Sequence, residues 1–350
     1  MSRESGHMRF TTAGEQNPLS NALLRAMQEH GELSIPALRA LSPLSDKAQI
    51  LVDRAVVNVG LERLVFAADL MAEDLTFPLT DPLSVMHLEW EQVSKVGTAQ
   101  RTMSPSARGE NQLIDRRVKR LPIYVTTDDF SVGIRTLKAS QRVGTPLDVT
   151  QVEQATRRVN EAIEDAAING ATTSDGSQFT AGGFAAPGLL NAPNTNTFAL
   201  TADWTGTNTI GTTGPAMLSD VLAMISILQA DKKFGPYNLY VGTKAGNLVE
   251  SDFKVNTTDT IRTRLEQIQA GGRNLRIRVA DQMPNASTGT QVALVQMTSD
   301  VVQMVNGQPP TVIPWTSLDG FTLYWLVIAI MIQRVRDDYE GNSGICIGTR

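Results

Sequence analysis

Residues 147–170 read LDVTQVEQATRRVNEAIEDAAING. Val149, Val152, Ala155, Val159, Ala162, Ile163 and Ala166 recur at three- and four-residue steps, which puts one apolar stripe along an α-helix. Pro146-Leu147-Asp148 supplies the start. Glu153 and Arg157 form an i,i+4 pair in the favourable order. Asn169-Gly170 supplies a left-handed stop. At 1.5 Å per residue the helix 148–169 is roughly 33 Å long, a single straight element around which the rest must be arranged.

Downstream the composition changes abruptly. From 171 to 213 the chain is rich in Thr and Gly, and only Asp175 and Asp203 are charged. This is loop and short-strand sequence. Pro215 opens a helix with Met217, Leu218, Val221, Leu222, Ile225 and Leu228 on its apolar side. A strand follows at 237–241, then helical stretches at 244–253 and 259–270, with Gly271-Gly272 as a break. Strands are expected at 275–279, 292–297 and 301–305. The turns at Thr298-Ser299-Asp300 and Asn306-Gly307 predict pairing of the last two strands. Pro309-Pro310 marks a boundary, and final strands are expected at 311–315, 321–335 and 344–348. The longest apolar run, Phe321 to Ile332, is broken only by Thr322. It falls short of the ~20 residues of a bilayer span. Its β-branched Val327, Ile328, Ile330 and Ile332 predict a strand buried on both faces.

Upstream, 94–115 contains few large apolar residues and cannot bury itself in a core of its own domain. It leads into RRVKRLPIYV at 116–125. Val118, Ile123 and Val125 suggest a strand; Arg116, Arg117, Lys119 and Arg120 suggest an exposed stem. Strand alternation sends these cations to both faces. The reading is a long projecting hairpin; the alternative is a surface loop with a basic solvated face. Asp128 or Asp129 is expected to cap a helix running through Ile134 and Leu137. Nearer the start, Leu19, Leu23, Leu24 and Met27 mark a short helix, and Ala48 to Val59 a second one capped by Ser45. Residues 1–44 read as a docking arm.

The composition excludes several classes. The chain has 350 residues, enough for about two structural units. Its net charge of −5 disfavours a free-standing nucleic-acid binder. A single Cys, Cys346, rules out an intrachain disulfide framework, and its Ile-Cys-Ile setting places it in a strand as a small apolar group. No secretory peptide is read at the start, so a soluble intracellular product is expected. His7, His30, His87 and Cys346 lack zinc-ligand spacing. The glycines of Gly235–Lys244 do not match a phosphate loop. Gly341-Asn342-Ser343-Gly344 is one residue short of a nucleophile elbow and reads as a turn. Asp337-Asp338 reads as a solvated strand end.

The order of elements carries more than any motif. Three stretches, RRVKRLPIYVTTDDF (116–130), the helix 147–170, and PGLLN (187–191), together with 321–350, resemble the HK97-fold shell proteins, the major capsid proteins of tailed double-stranded DNA bacteriophages and their encapsulin relatives. The similarity covers roughly residues 45–350. It implies an α+β, HK97-like capsid fold: an N-terminal arm and first helices at 1–84, an extended loop at 85–126, a peripheral domain at 127–212 and 308–350 holding a long spine helix, and an axial domain at 213–307. In that family many copies form pentamers and hexamers of an icosahedral shell, and the loop of one subunit lies over its neighbour. The resemblance therefore implies inter-subunit contacts through Lys95, Arg101, Arg108, Arg116, Arg117, Lys119 and Arg120. It implies mechanical containment of phage DNA by weak, non-specific contact, with no catalytic residues, metal, cofactor or membrane. The other expected partners are further copies, a portal and possible scaffold or decoration proteins. The implied location is the virion, with assembly in the host cytoplasm. An encapsulin-type shell around a cargo enzyme is the alternative. One family member crosslinks a loop Lys to an Asn; Lys95 and Asn342 match in residue type, but no motif pins either.

Overall fold

The computed structural model describes residues 64–95, 101, 113–143, 150–173, 175–254, 259–284, 290–317 and 321–350. The arm, both N-terminal helices, Arg108 and the start of the long helix at 146–149 lie outside them. The chain divides into two compact units. Among the described residues the first comprises Thr127–Ala155 and Thr311–Ile328; the second comprises 64–126, Thr156–Pro310 and Ala329–Arg350.

In chain order the elements are α1 (Phe66–Ala72), β1 (Thr76–Pro78), β2 (His87–Val93), β3 (Arg116–Pro122), β4 (Thr126–Gly133), α2 (Ile134–Val143) and α3 (Thr150–Asn169). Short strands β5 (Thr180–Ala181), β6 (Phe184–Ala185) and β7 (Asn196–Ala199) follow. Next come α4 (Thr213–Ala230), β8 (Tyr237–Val241), α5 (Thr243–Val249), α6 (Ile261–Glu266), β9 (Gln269–Ala270), β10 (Arg273–Asn274), β11 (Arg276–Val279) and β12 (Gln291–Gln296). Two long strands, β13 (Val302–Thr316) and β14 (Thr322–Val335), precede β15 (Ile345–Thr349).

The second unit is built on a five-stranded sheet in the order β11-β8-β12-β15-β7. Its central strands carry near-continuous apolar sequence because both faces are covered: every residue of β8 is buried, as are Val292–Gln296 of β12 and Ile345–Gly348 of β15. The helix α4 lays Met217, Val221, Met224 and Leu228, all fully buried, into the same core as Leu239, Leu294 and Cys346. By length and apolarity alone α4 could cross a membrane; the burial of that stripe makes it a core helix.

The long helix appears as the spacing predicts. Val152, Ala155, Val159, Ile163 and Ala166 are buried, whereas Ala162 is exposed and lies off the stripe. Gly170 closes it at φ +92°. The turn PGLLN joins this stop: Leu189 N–H donates to the carbonyl of Ala167 at 2.9 Å and Leu190 N–H to that of Ile168 at 2.9 Å. Those carbonyls are among the last four of the helix, which have no partner within it. Asn191 Oδ1 accepts from Gly188 N–H at 2.5 Å, and a Cβ on Gly188 would strike the Gly170 backbone. Two motifs read separately in the sequence are one helix-ending structure.

Three expectations are corrected. Residues 126–133 form β4 rather than a helix start; their burial alternates strictly, with Thr126, Asp128, Phe130 and Val132 on the less exposed side. Two adjacent acids can sit on opposite faces of a strand, and in the first unit Phe130 stacks on Trp325 with centroids 5.8 Å apart. The expected strands 301–305 and 311–315 are one strand, β13, without a turn at Asn306-Gly307. Gly307 instead marks a close approach, since a Cβ there would lie 2.6 Å from Pro82 Cβ. Pro309 and Pro310 stand beyond the three-residue register of β1 with β13, Met304 to Asn306. Finally, β12 does not pair with β13, because its two neighbours are β8 and β15.

In β14 the pattern changes along the strand. Thr322–Leu326 alternates, and Val327–Arg334 is buried on both faces, as the β-branched run predicts. Arg334 is enclosed there, with its guanidinium 4.8 Å from the Phe77 ring and 5.6 Å from the Trp90 ring. Burial lowers its pKa to about 10.

Candidate inter-subunit contact surface

The expected hairpin is present. β2 and β3 pair antiparallel with His87 opposite Pro122 and Val93 opposite Arg116. Directly opposed residues share a face, so the register sorts the stem into two sides. One carries Leu88, Trp90 and Gln92 opposite Leu121, Lys119 and Arg117. The other carries Glu89, Glu91 and Val93 opposite Arg120, Val118 and Arg116.

The first side packs on its own unit. Leu121 is buried with Val305 and Ile332, and Phe77, Leu88, Trp90 and Tyr124 close around them. Further out the contacts turn polar. Gln92 Nε2 donates to the Asp337 carbonyl at 2.8 Å and to Asp337 Oδ1 at 2.6 Å. Lys119 Nζ lies 3.5 Å from Asp337 Oδ2, and the Arg117 guanidinium stands 5.1 Å over the Tyr339 ring. Asp337 is therefore not a solvated strand end; its side chain is 8% exposed.

The second side faces outward. All six of its residues from Glu89 to Val93 and Arg116 to Arg120 are exposed, including Val93 and Val118. Arg116 Nη1 pairs with Glu91 Oε2 at 2.9 Å and Arg120 Nε with Glu89 Oε1 at 2.5 Å. Beyond the stem, Leu113 and Ile114 are exposed as well. The result is a small apolar patch, Val93 and Val118, framed by two cross-strand ion pairs. The Phe184 ring lies 5.4 Å from the Arg120 guanidinium.

Six of the seven expected contact residues lie among the described residues, and they divide. Arg116 and Arg120 are on the outward face. Arg117 and Lys119 are on the inward face, engaged with Tyr339 and Asp337. Lys95 binds Asp338 Oδ2 at 3.2 Å and Glu340 Oε2 at 2.7 Å. Arg101 is exposed. The hydrogen bonds from Lys95 to Glu340 and Asp338 raise its pKa. Asn342 Nδ2 reaches the same two carboxylates, at 2.7 Å from Asp338 Oδ2 and 3.4 Å from Glu340 Oε2.

Two buried carboxylates escaped the sequence reading. Glu164, in the last third of α3, accepts from Phe66 N–H at 2.6 Å and Ala67 N–H at 3.2 Å, and so caps α1 from 98 residues away. Burial pushes its carboxyl up to about 7, against the backbone donors that favour the charged form. Asp220 of α4 gathers Thr201 N–H at 3.1 Å, Ala202 N–H at 3.0 Å, Trp204 Nε1 at 3.2 Å and the Thr201 hydroxyl. An acid in an otherwise apolar helical stripe is the available signal, but it does not name the partner. Among the described residues no group of three or more His, Cys, Asp or Glu is placed to hold a metal ion.

Solved structures share this architecture. The capsid of Myoviridae phage XM1 aligns with a TM-score of 0.62 over 82% of this chain and 93% of its own, at 11% identity. A virus-like particle from Pyrococcus furiosus aligns at 0.55 over 85% and 97%, at 14% identity. Microbacterium phage Oxtober96 aligns at 0.53 over 83% and 93%, at 11% identity. A search of curated proteins found no match. The fold is that of the HK97-like capsids, mixed helix and sheet. A family model matches residues 63–348, and the chain belongs to that family, a family of unknown function designated DUF6260.

Proposed function

We propose that this chain is a phage major capsid protein that self-assembles into an icosahedral shell around double-stranded DNA. One observation carries the reading: an HK97-like fold aligned over nearly the whole length of a phage capsid chain, with a hairpin whose outer face offers exposed Val93 and Val118. Each copy lends that face to a neighbour, through Arg116, Arg120 and the loop cations Arg101 and Arg108. Lys95, Arg117 and Lys119 act beyond the apolar root, on their own chain. Charge complementarity of this kind fixes partner and register more than it adds raw affinity. The domain division is the one the resemblance implies: arm at 1–84, loop at 85–126, peripheral domain at 127–212 and 308–350, axial domain at 213–307. A wall that confines DNA by closure needs no strong affinity for it, in keeping with a net charge of −5. The location is the virion, after assembly in the host cytoplasm with a portal and possible scaffold or decoration proteins. No catalysis is assigned to the chain.

A compartment around a cargo enzyme is the second reading, favoured by the similarity to the virus-like particle. Light scattering and negative-stain imaging of the purified protein test assembly, expected as closed particles. Particles that copurify with double-stranded DNA and portal support the capsid; particles that copurify with an enzyme support the compartment. A monomer under all conditions, with phage proteins supplied, overturns both.

A further inference from the structure

Four consecutive residues after β14 each hold the hairpin beyond its apolar root. Asp337 takes Gln92 and Lys119. Asp338 takes Lys95 at 3.2 Å. Tyr339 donates its hydroxyl to Asp115 and stacks under Arg117. Glu340 takes Lys95 at 2.7 Å. Both edges of the hairpin are gripped, through Gln92 of β2 and Lys95 just after it, and through Asp115 just before β3 and Arg117 and Lys119 on it.

The corner itself is braced. Asn194 Nδ2 donates to Asp337 Oδ2 at 2.6 Å. Asp338 accepts from Asn342 N–H at 2.7 Å and Asn342 Nδ2 at 2.7 Å. Gly341 turns the chain at φ +87°, a conformation that favours glycine. Partial burial would raise the Asp338 carboxyl, but the bonds from Asn342 and Lys95 hold it below the usual range. Asp337 is the least exposed of the three carboxylates, and Gln92, 6% exposed, donates to it.

We propose that the 337–340 corner is an anchor that sets the direction in which the hairpin leaves its unit, and that Lys95, Arg117 and Lys119 serve this anchor. A two-stranded ribbon is at best marginally stable alone. The apolar contacts of Leu88, Trp90 and Leu121 stop at Trp90, before β2 ends at Val93. Beyond that point these polar contacts keep the ribbon from swinging. The anchor rests on the proposed function only for its consequence in assembly.

Hydrogen exchange of the full-length chain, as dissociated subunits and after assembly, tests this. Asp337→Ala removes the hub, and Gln92→Leu removes its buried hydrogen-bond donor while keeping an apolar side chain. Both should speed exchange of the 87–95 and 113–121 amides in subunits by roughly tenfold or more, while β12 amides keep their protection. Unchanged stem exchange in a folded variant overturns the anchor. If Asp337→Ala loses β12 protection it has not folded, and Gln92→Leu decides alone. A loosened stem with normal shells leaves the anchor standing and removes the claim that hairpin direction governs assembly. Absence of shells even from the unaltered chain strikes at the capsid reading instead.

Discussion

The five-stranded sheet and the β2–β3 hairpin are both built from paired strands, yet they are held by opposite means. In the sheet, β8, β12 and β15 are buried on both faces and α4 seals one side. In the hairpin, one face is tied down by an apolar root and an acidic corner, and the other is open. Burial of apolar area stabilises the first by about 25 cal/mol per Å². Exposed ion pairs contribute only ~0–1 kcal/mol each to the second. The sheet is thus where folding stability resides. The hairpin's outer face adds little to the fold of the chain that carries it, which is what a surface kept for another molecule should look like.

The contrast breaks first in the sheet. Leu294→Ala, at a fully buried site in β12, should cost about 3–4 kcal/mol of folding free energy, read from chemical denaturation. A loss below ~1 kcal/mol would deny the sheet its role.

Glu164 comes next. Its folded pKa of about 7 lies above the ordinary 4.5, so its ionisation opposes folding. The stability tied to its neutral form is complete below pH 4.5 and is lost as pH rises through 7. This amounts to about 3 kcal/mol by linkage. Glu164→Gln should flatten that part of the pH–stability curve between pH 4.5 and 7. An unchanged curve would contradict the buried cap.

Cys346 is smaller still. Its thiol is fully buried in β15, and burial pushes its pKa up to about 12, so it acts as a packed apolar group. Cys346→Ala should lower stability by about 1 kcal/mol, with particles intact in reducing and oxidising buffers alike. Dissociation confined to the mutant would show a covalent role.

The smallest effect on folding belongs to the stem. Arg116→Glu with Arg117→Glu should change unfolding free energy by about 1 kcal/mol or less, yet block or misdirect assembly. High salt should weaken early assembly of the unaltered chain. Circular dichroism beside negative-stain imaging measures both, and normal particles from the folded double mutant would show that these charges do not steer assembly.

Legibility in the sequence followed the range of the interactions. The α3 stripe and its Asn-Gly stop depend on residues within a turn or two, and among the described residues all but Ala162 stand where the spacing put them. So does the doubly buried half of β14. Asp128-Asp129 misled because two carboxylates suit a helix start as well as the two faces of a strand, and the alternation of Thr126, Phe130 and Val132 was the better guide. Gly307 and the two prolines looked like punctuation because a close approach of Pro82 is invisible without the third dimension. The stem cations were legible as a charged hairpin. Their division into an inward and an outward set depends on pairing register and on a corner more than 200 residues away in sequence. Glu164 and Asp220 were out of reach for the same reason: an acid on a helix names neither its burial nor the backbone it caps.

A reconstruction of the assembled particle by electron cryomicroscopy tests the central claim most directly. The account predicts a closed icosahedral shell in which the face of Val93, Arg116, Val118 and Arg120 is covered by a neighbouring copy while Gln92 and Lys119 remain on Asp337 of their own chain. A shell that leaves that face open to solvent, or a protein that forms no closed particle at all, would contradict it.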